Sequence, residues 1–145
     1  MQTQVHNTAK AVIRRDGRLL AVRCRDCAVV YYTLPGGQQH PGELLTDTVR
    51  RECLEETGCA VDVGDLLLVC ERPGCGLGHM VDHYFLCELR PDSSPSGATT
   101  PDYRQEAFEW LPSERIEEYA LHPLNLRGVL AGVRDRASVY GGPAS

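Results

Sequence analysis

The sequence predicts a mixed sheet sandwiched by helices, and three observations carry that prediction. Two alternating β-branched runs flank an Asp-Gly pair near the N-terminus. One strongly patterned helix follows a glycine-rich loop. Further strand-like runs then give way to helical periodicity toward the C-terminus. Strands, a helix, strands and helices in that order fit an α/β or an α+β domain, and periodicity alone does not choose between them. At 145 residues, 42% of them hydrophobic and 24% charged, the chain has the composition of a globular domain. A chain of this length buries about two-thirds of its unfolded surface.

Thr8 to Arg15 and Leu19 to Cys24 alternate as strands, and Asp16-Gly17 between them is a tight-turn pair, so the three make a hairpin. Val29 to Leu34 is a third strand leading into the glycine-rich loop Leu34 to Gly42. Gly42-Glu43 opens a helix that Gly58 closes as a left-handed cap. Asp62, Gly64 and Asp65 form a turn ahead of a buried strand, Leu66 to Val69. Arg72 to His79 is a glycine-rich connection, and Met80 to Leu89 alternates as a strand. Asp82, His79 and His83 are expected on the surface of that strand, lining or neighbouring a cleft, in preference to forming a second metal cluster. Pro91 to Asp102, rich in Pro, Ser, Gly and Thr, is a loop. Gln105 to Leu111 is a short strand with Phe108 and Trp110 on one face. Pro112-Ser113 starts a helix through Tyr119, and Pro123 starts another through about Arg136. The tail from Ala137 to Ser145 has turn composition and is expected to be loosely ordered.

The helix after the glycine loop is the informative element. At about 100° per residue, Leu45, Val49 and Cys53 form its apolar face. Glu52, Glu55 and Glu56 share one patch of its last turns, and Glu56 projects between Leu45 and Val49 toward the protein body. Crowded carboxylates raise one another's pKa, burial raises it further, and a helix C-terminus disfavours negative charge. Arg50 and Arg51 offset part of this, and a divalent cation would offset the rest. Several hard oxygen ligands suit Mg²⁺ or Mn²⁺, which also bind phosphates. A solvated Glu/Arg face with i,i+4 pairs is the plainer reading of such a run.

Spacing weighs against the plainer reading. From Gly37 to Cys59 the chain reads G-x5-E-x7-R-E-U-x-E-E-x-G-U, with Glu43, Arg51-Glu52, Glu55-Glu56 and Gly58 at its fixed places. This resembles the Nudix box, the signature of the Nudix hydrolase family, and Leu34-Pro35-Gly36-Gly37 matches its usual lead-in. Cys53 and Cys59 stand where the pattern prefers bulky aliphatics, and cysteine packs as a small hydrophobe. The resemblance implies the Nudix fold, a mixed β-sheet in an α/β/α sandwich, as a single domain over 1–145 with its core at about 5–136.

That likeness also implies an enzyme, a hydrolase that cleaves the diphosphate of a nucleoside diphosphate linked to another moiety. Nucleoside triphosphates, ADP-ribose or other nucleotide sugars, and dinucleoside polyphosphates are the candidate substrates. By position, Glu52, Glu55, Glu56 and the Gly36 carbonyl hold Mg²⁺ or Mn²⁺. Glu52 is the candidate general base and Arg51 orients a glutamate. Gly37 and Glu43 support the loop. A downstream glutamate sometimes supplies the base in this family, and Glu106 is the nearest candidate, with Asp102 behind it. Arg23, in the basic first hairpin, is the candidate contact to a substrate phosphate. Many relatives are homodimers, so a homodimer is possible. The alternative is a non-catalytic Nudix-like nucleotide sensor or interaction module, which the intact acidic positions of the box argue against.

A net charge of −5 argues against a general nucleic-acid binder. No apolar run approaches a membrane span and no signal peptide is visible, so a cytoplasmic protein is expected. The seven cysteines are odd in number and suggest no disulfide framework. Cys24 and Cys27 with Cys70 and Cys75 make a four-thiolate zinc site conceivable, although ordinary thiols are favoured. A cysteine or histidine hydrolase is disfavoured, because no thiol sits at an evident helix N-terminus. Tyr31, Tyr32, Tyr84, Phe85 and Trp110 are offered first to the core and only then to base stacking.

Overall fold

Strand β1, Val5–Arg15, joins the two halves of the sheet, and its alternation explains how. Ala9, Ala11 and Ile13 belong to one hydrophobic cluster and Val12 to another, so the strand buries both faces. The structure, a computed structural model, describes residues 4–76, 78–95, 105–130 and 138–145; the side chains of Cys75 and Glu106 also lie outside that description. Asp16 (φ 53°) and Gly17 (φ 72°) both take the left-handed conformation that a two-residue hairpin turn requires. They deliver the chain into β2, Arg18–Asp26, which pairs with β1 only at Arg14↔Leu19 and Arg15↔Arg18. Beyond that point the strands diverge, β2 pairing antiparallel with β3, Val29–Thr33. The expected hairpin and third strand are therefore present.

The short strand β4, Gly36–Gln38, lies antiparallel to β1, and the helix α1, Leu45–Thr57, follows it. The helix begins later than the sequence suggests. Leu44 is its N-cap and Glu43 lies just outside, because the Glu43 carboxylate is taken up by the loop and by Arg51. Gly58 (φ 73°) caps the other end, its N–H donating to the Leu54 carbonyl at 3.0 Å.

After α1, β5, Val61–Cys75, and β6, Gly78–Leu89, form a long antiparallel pair. The turn expected at Asp62–Asp65 is instead a pair of register shifts inside β5, which keep the strand continuous while re-aiming Leu68 and Cys70 into the core. The connection expected over Arg72–His79 is likewise mostly strand. β6 runs parallel to β1 from Val5↔His79 to Ile13↔Cys87. β7, Gln105–Pro112, pairs with β2, and Phe108 and Trp110 share a face as expected. A 3-10 helix, Ser113–Glu118, and α2, Asn125–Leu130, follow, and the remainder of the helix expected to about Arg136 lies outside the described residues.

The C-terminal segment corrects the expectation of loose order. β8, Tyr140–Pro143, adds a parallel strand to the edge of β5, with Val69 N–H bonded to the Val139 carbonyl at 3.0 Å. Its Gly-Gly-Pro composition reads as turn, but two glycines suffice for a short edge strand when β5 supplies the partner. The long path through the sheet is β3-β2-β1-β6-β5-β8.

Two cores flank this sheet. Val49 and Cys53 of α1 pack on Ala9, Ala11, Ile13, Leu20, Phe85 and Cys87 on one face. Ile116, Leu121 and Leu126 cover Val12, Leu19, Leu68 and Tyr84 on the other. Helices on both faces of a mixed sheet make an α/β/α sandwich. Among the described residues, no helix is long and apolar enough to cross a membrane.

Candidate active site

The glycine loop is shaped by how closely other groups approach it. Gly36 pairs with Lys10 across β4 and β1 and has φ 149°, and a Cβ there would lie 2.2 Å from the Ala9 carbonyl oxygen. A Cβ on Gly37 would lie 2.5 Å from Glu52 Cδ. Both positions therefore require glycine, the first for the backbone of β1 and the second for the carboxylate of Glu52. The Gly36 N–H donates to Glu56 Oε2 at 3.2 Å, so the loop and the helix meet through the box's own residues.

Arg51 organises the acidic side chains. Its Nε and Nη2 donate to the two oxygens of Glu43 at 2.9 and 2.8 Å, a forked pair, and Nη2 also reaches the Gln38 carbonyl at 3.0 Å. Nη1 donates to Glu52 Oε1 at 2.8 Å and, more weakly, to Glu55 Oε2 at 3.4 Å. Glu43 further accepts from the His40 N–H and the Thr48 hydroxyl, both at 2.9 Å. The Arg51 guanidinium holds the Glu43 carboxyl well below the usual range, with the His40 amide assisting. Reciprocally, Glu43 raises the pKa of Arg51. This lattice ties loop to helix.

Glu56 differs from its neighbours. It is only 7% exposed, whereas the Glu55 side chain is 45% exposed. Burial pushes its carboxyl up to about 7, against the opposing pull of Lys10, the Gly36 amide and Gln105. The helix supplies no basic residue in its last turn to relieve it. An ionised Glu56 is thus costly as the protein stands, and a divalent cation would reverse that cost.

No three His, Cys, Asp or Glu side chains among the described residues are gathered closely enough to hold a metal ion as they stand. Arg51 engages Glu52 and Glu55 instead. The donor chemistry nevertheless fits one: hard oxygens, a buried carboxylate with suppressed acidity in Glu56, and the half-exposed carboxylate of Glu55 on the same helix.

Beside the loop lies a cavity of about 270 Å³, whose lining includes Lys10, Leu34, Arg72, Asp82, Tyr84 and His122 but none of the box carboxylates. Asp82 is not on the strand surface as the sequence suggests: it is 2% exposed. It accepts from Arg72 Nε and Nη2 at 2.6 and 2.9 Å and from the Thr8 hydroxyl at 2.5 Å. Burial alone would raise its pKa, and these partners hold it lowered instead. His79 pairs with Glu71 at 2.9 Å and His83 with the Thr8 carbonyl at 3.0 Å, so the three residues do not converge.

Arg23 sits opposite Tyr32 and Ala107, its Nε 3.7 Å from Glu109, and is not among the cavity's lining residues. Glu106 lies on β7 with its side chain outside the described residues, and Asp102 lies outside them altogether. Cys24, Cys27 and Cys70 form no disulfide among the described residues, Cys24 lying on β2 and Cys70 in the core on β5; the side chain of Cys75 is outside the described residues. Tyr84 and Phe85 are buried, and Tyr32 packs edge-on against Tyr119. Sequence reasoning passed over Lys10, the pairing of Arg72 with Asp82, and Gln105. The signal for Lys10 was available: it is the chain's one lysine, and it interrupts the apolar run from Ala9 to Ile13.

A NUDIX domain model matches residues 5–131. The chain is 34% identical over 113 residues to a MutT-like protein of Streptomyces ambofaciens, covering 77% of this chain and 66% of that one. It is 35% identical over 102 residues to nucleoside diphosphate-linked moiety X motif 6 of Mus musculus, covering 68% of this chain and 31% of that one. The match thus spans just under two-thirds of the first relative and under a third of the second. The crystal structure of a MutT NUDIX hydrolase from Burkholderia pseudomallei aligns with TM-score 0.63 at 31% identity, covering 77% of this chain and 85% of that one. A MutT protein from Methanosarcina mazei aligns with TM-score 0.69 at 22% identity over 91% of this chain and 94% of that one, a likeness of fold.

Proposed function

The chain belongs to the Nudix family, and from that premise we propose that it is a divalent-metal-dependent pyrophosphohydrolase acting on a nucleoside diphosphate linked to another moiety. One observation carries the reading. A nearly buried Glu56 carboxylate faces the glycine-loop amide beside Glu52, with its acidity suppressed by burial. Such a group is hard to account for as structural support and easy to account for as a cation ligand.

Glu52, Glu55, Glu56 and the Gly36 carbonyl would hold the ion, Mg²⁺ or Mn²⁺. When bound, such an ion neutralises diphosphate oxygens and lowers the pKa of the attacking water. The chain's own residues do the rest. Gly37, lacking a Cβ, lets Glu52 lie against the loop where the attack takes place. Arg51 fixes the orientation of Glu52, the candidate general base, through the 2.8 Å bond from Nη1. Glu43 fixes Arg51, so the geometry of the base is set by two successive charged hydrogen bonds.

The test is a panel of nucleoside triphosphates, ADP-ribose, another nucleotide sugar and a dinucleoside polyphosphate, incubated with Mg²⁺ or Mn²⁺, the products resolved by chromatography. Metal-dependent cleavage at the diphosphate, abolished by Glu52→Gln, is the expected result. Nucleotide binding with no turnover, indifferent to Glu52→Gln, would make the protein a sensor instead.

A further inference from the structure

The inference concerns Lys10 and rests on the hydrolase reading above, which it deepens. Alternation along β1 puts Thr8, Lys10 and Val12 on the face away from α1, the face that carries the cavity. In register, Lys10 lies between Gly36 of β4 and Tyr84 of β6. Its stem packs on the loop: Cδ would be 2.8 Å from a Cβ at Gly36. The side chain is therefore laid across the very glycine whose N–H holds Glu56.

Its charge acts on both acidic centres, Glu56 of the box and Asp82 of the cavity. Yet among the described residues Lys10 forms no hydrogen bond or ion pair with either. Asp82 has its forked pair with Arg72, and Glu56 has the Gly36 amide. A half-buried lysine whose ammonium has three donors and no hydrogen-bond acceptor among the described residues is poised for a ligand. Ion pairs elsewhere among the described residues are made by arginine or histidine, as in Arg51–Glu43 and His79–Glu71. A lysine supplies a compact, rotatable charge instead, suited to an oxygen that arrives and leaves. The adjoining cavity, about 270 Å³, is at the small end of ligand pockets and has room for one ring unit.

We propose that Lys10 binds substrate: its ammonium donates to a non-bridging oxygen of the diphosphate, and the ring attached to that end enters the cavity beside Tyr84 and the Arg72–Asp82 pair. Lys10 thereby joins the box to the cavity and selects a substrate with one nucleoside ring on this side of the scissile bond.

Because Lys10 is the only lysine, protein labelled with ¹³C-lysine reports on it alone. The wild-type protein is titrated with inorganic pyrophosphate in the presence of Mg²⁺, and Mn²⁺ binding is measured separately without pyrophosphate. The Lys10 signals should shift and saturate with pyrophosphate. Lys10→Met should weaken pyrophosphate binding roughly tenfold or more, the loss of one charged hydrogen bond, while Lys10→Arg retains most of it. Mn²⁺ affinity should change by no more than about threefold, the margin for one screened charge. Lys10 signals unmoved at saturation, or Lys10→Met binding pyrophosphate as wild type does, overturns the proposal. So does a variant altered in Mn²⁺ affinity alone, since Lys10 would then act only through Glu56. If wild type binds neither Mn²⁺ nor pyrophosphate, the hydrolase reading itself fails; if wild type hydrolyses nucleotides and Lys10→Met does so equally well, only this inference does.

Discussion

Replacing Glu56 by glutamine isolates the energetic cost that the site carries. The amide keeps the shape and the carbonyl acceptor for the Gly36 N–H, and removes only the charge. In the folded protein the Glu56 carboxyl is raised from 4.5 to about 7, burial being the main cause. A raised carboxyl contributes stability that is fully present below its unfolded pKa and is lost as pH rises through its folded pKa. Wild type should therefore lose ~3 kcal/mol between about pH 4.5 and pH 8, at 1.36 kcal/mol per unit. Glu56→Gln should not lose that contribution, and every other titrating group is common to both proteins. Urea denaturation in EDTA at about pH 5 and about pH 8 measures the difference. The variant should gain on wild type by ~2–4 kcal/mol between the two conditions. At pH 8, added Mn²⁺ should then raise the stability of wild type far more than that of the variant, because ligand stabilises only the form that binds it. A gap between the two proteins that is the same at both pH values, or that moves in favour of wild type at pH 8, would refute the reasoning.

Gly36→Ala should destabilise the fold by more than ~2 kcal/mol in denaturant titration, since its Cβ meets the backbone of β1 and its φ is unfavourable. Gly37→Ala should instead leave stability within ~1 kcal/mol but lower turnover on the order of a hundredfold, because the flexible Glu52 side chain yields and is misplaced. Glu43→Gln should lower kcat about tenfold with little change in KM, since Arg51 loses the forked bond that orients Glu52. Mn²⁺ affinity should rise with pH and level off above about 7, as Glu56 must shed its proton. Calorimetry in buffers of different ionisation enthalpy should find about one proton released near pH 6 and almost none near pH 8.5.

Much of this was legible in the sequence because the box is local. Leu45, Val49 and Cys53 on one face, with Glu56 turned inward, follow from helical spacing alone, and burial of Val49, Cys53 and Glu56 agrees. The Asp16-Gly17 turn was equally local. What spacing could not convey was partnership across distance. Asp82 reads as a surface residue until Arg72 and Thr8, on two other strands, are seen to enclose it. The tail reads as loose until the edge of β5 is seen to accept it. Glu43 reads as the first residue of the helix because its use by Arg51, eight residues on, competes with helix entry in a way that propensity does not record. Lys10 reads as one more polar residue of a strand until the sheet sets it between the loop and the cavity.

The central claim is that the carboxylates at the end of α1 exist to bind a divalent cation. Crystals soaked with Mn²⁺ and measured for anomalous scattering test it most directly. A peak bounded by Glu52, Glu55, Glu56 and the Gly36 carbonyl, with Arg51 retained on Glu43 and withdrawn from Glu55, is the predicted result. A featureless map there at saturating Mn²⁺, with Arg51 still bonded to both Glu52 and Glu55, would contradict it.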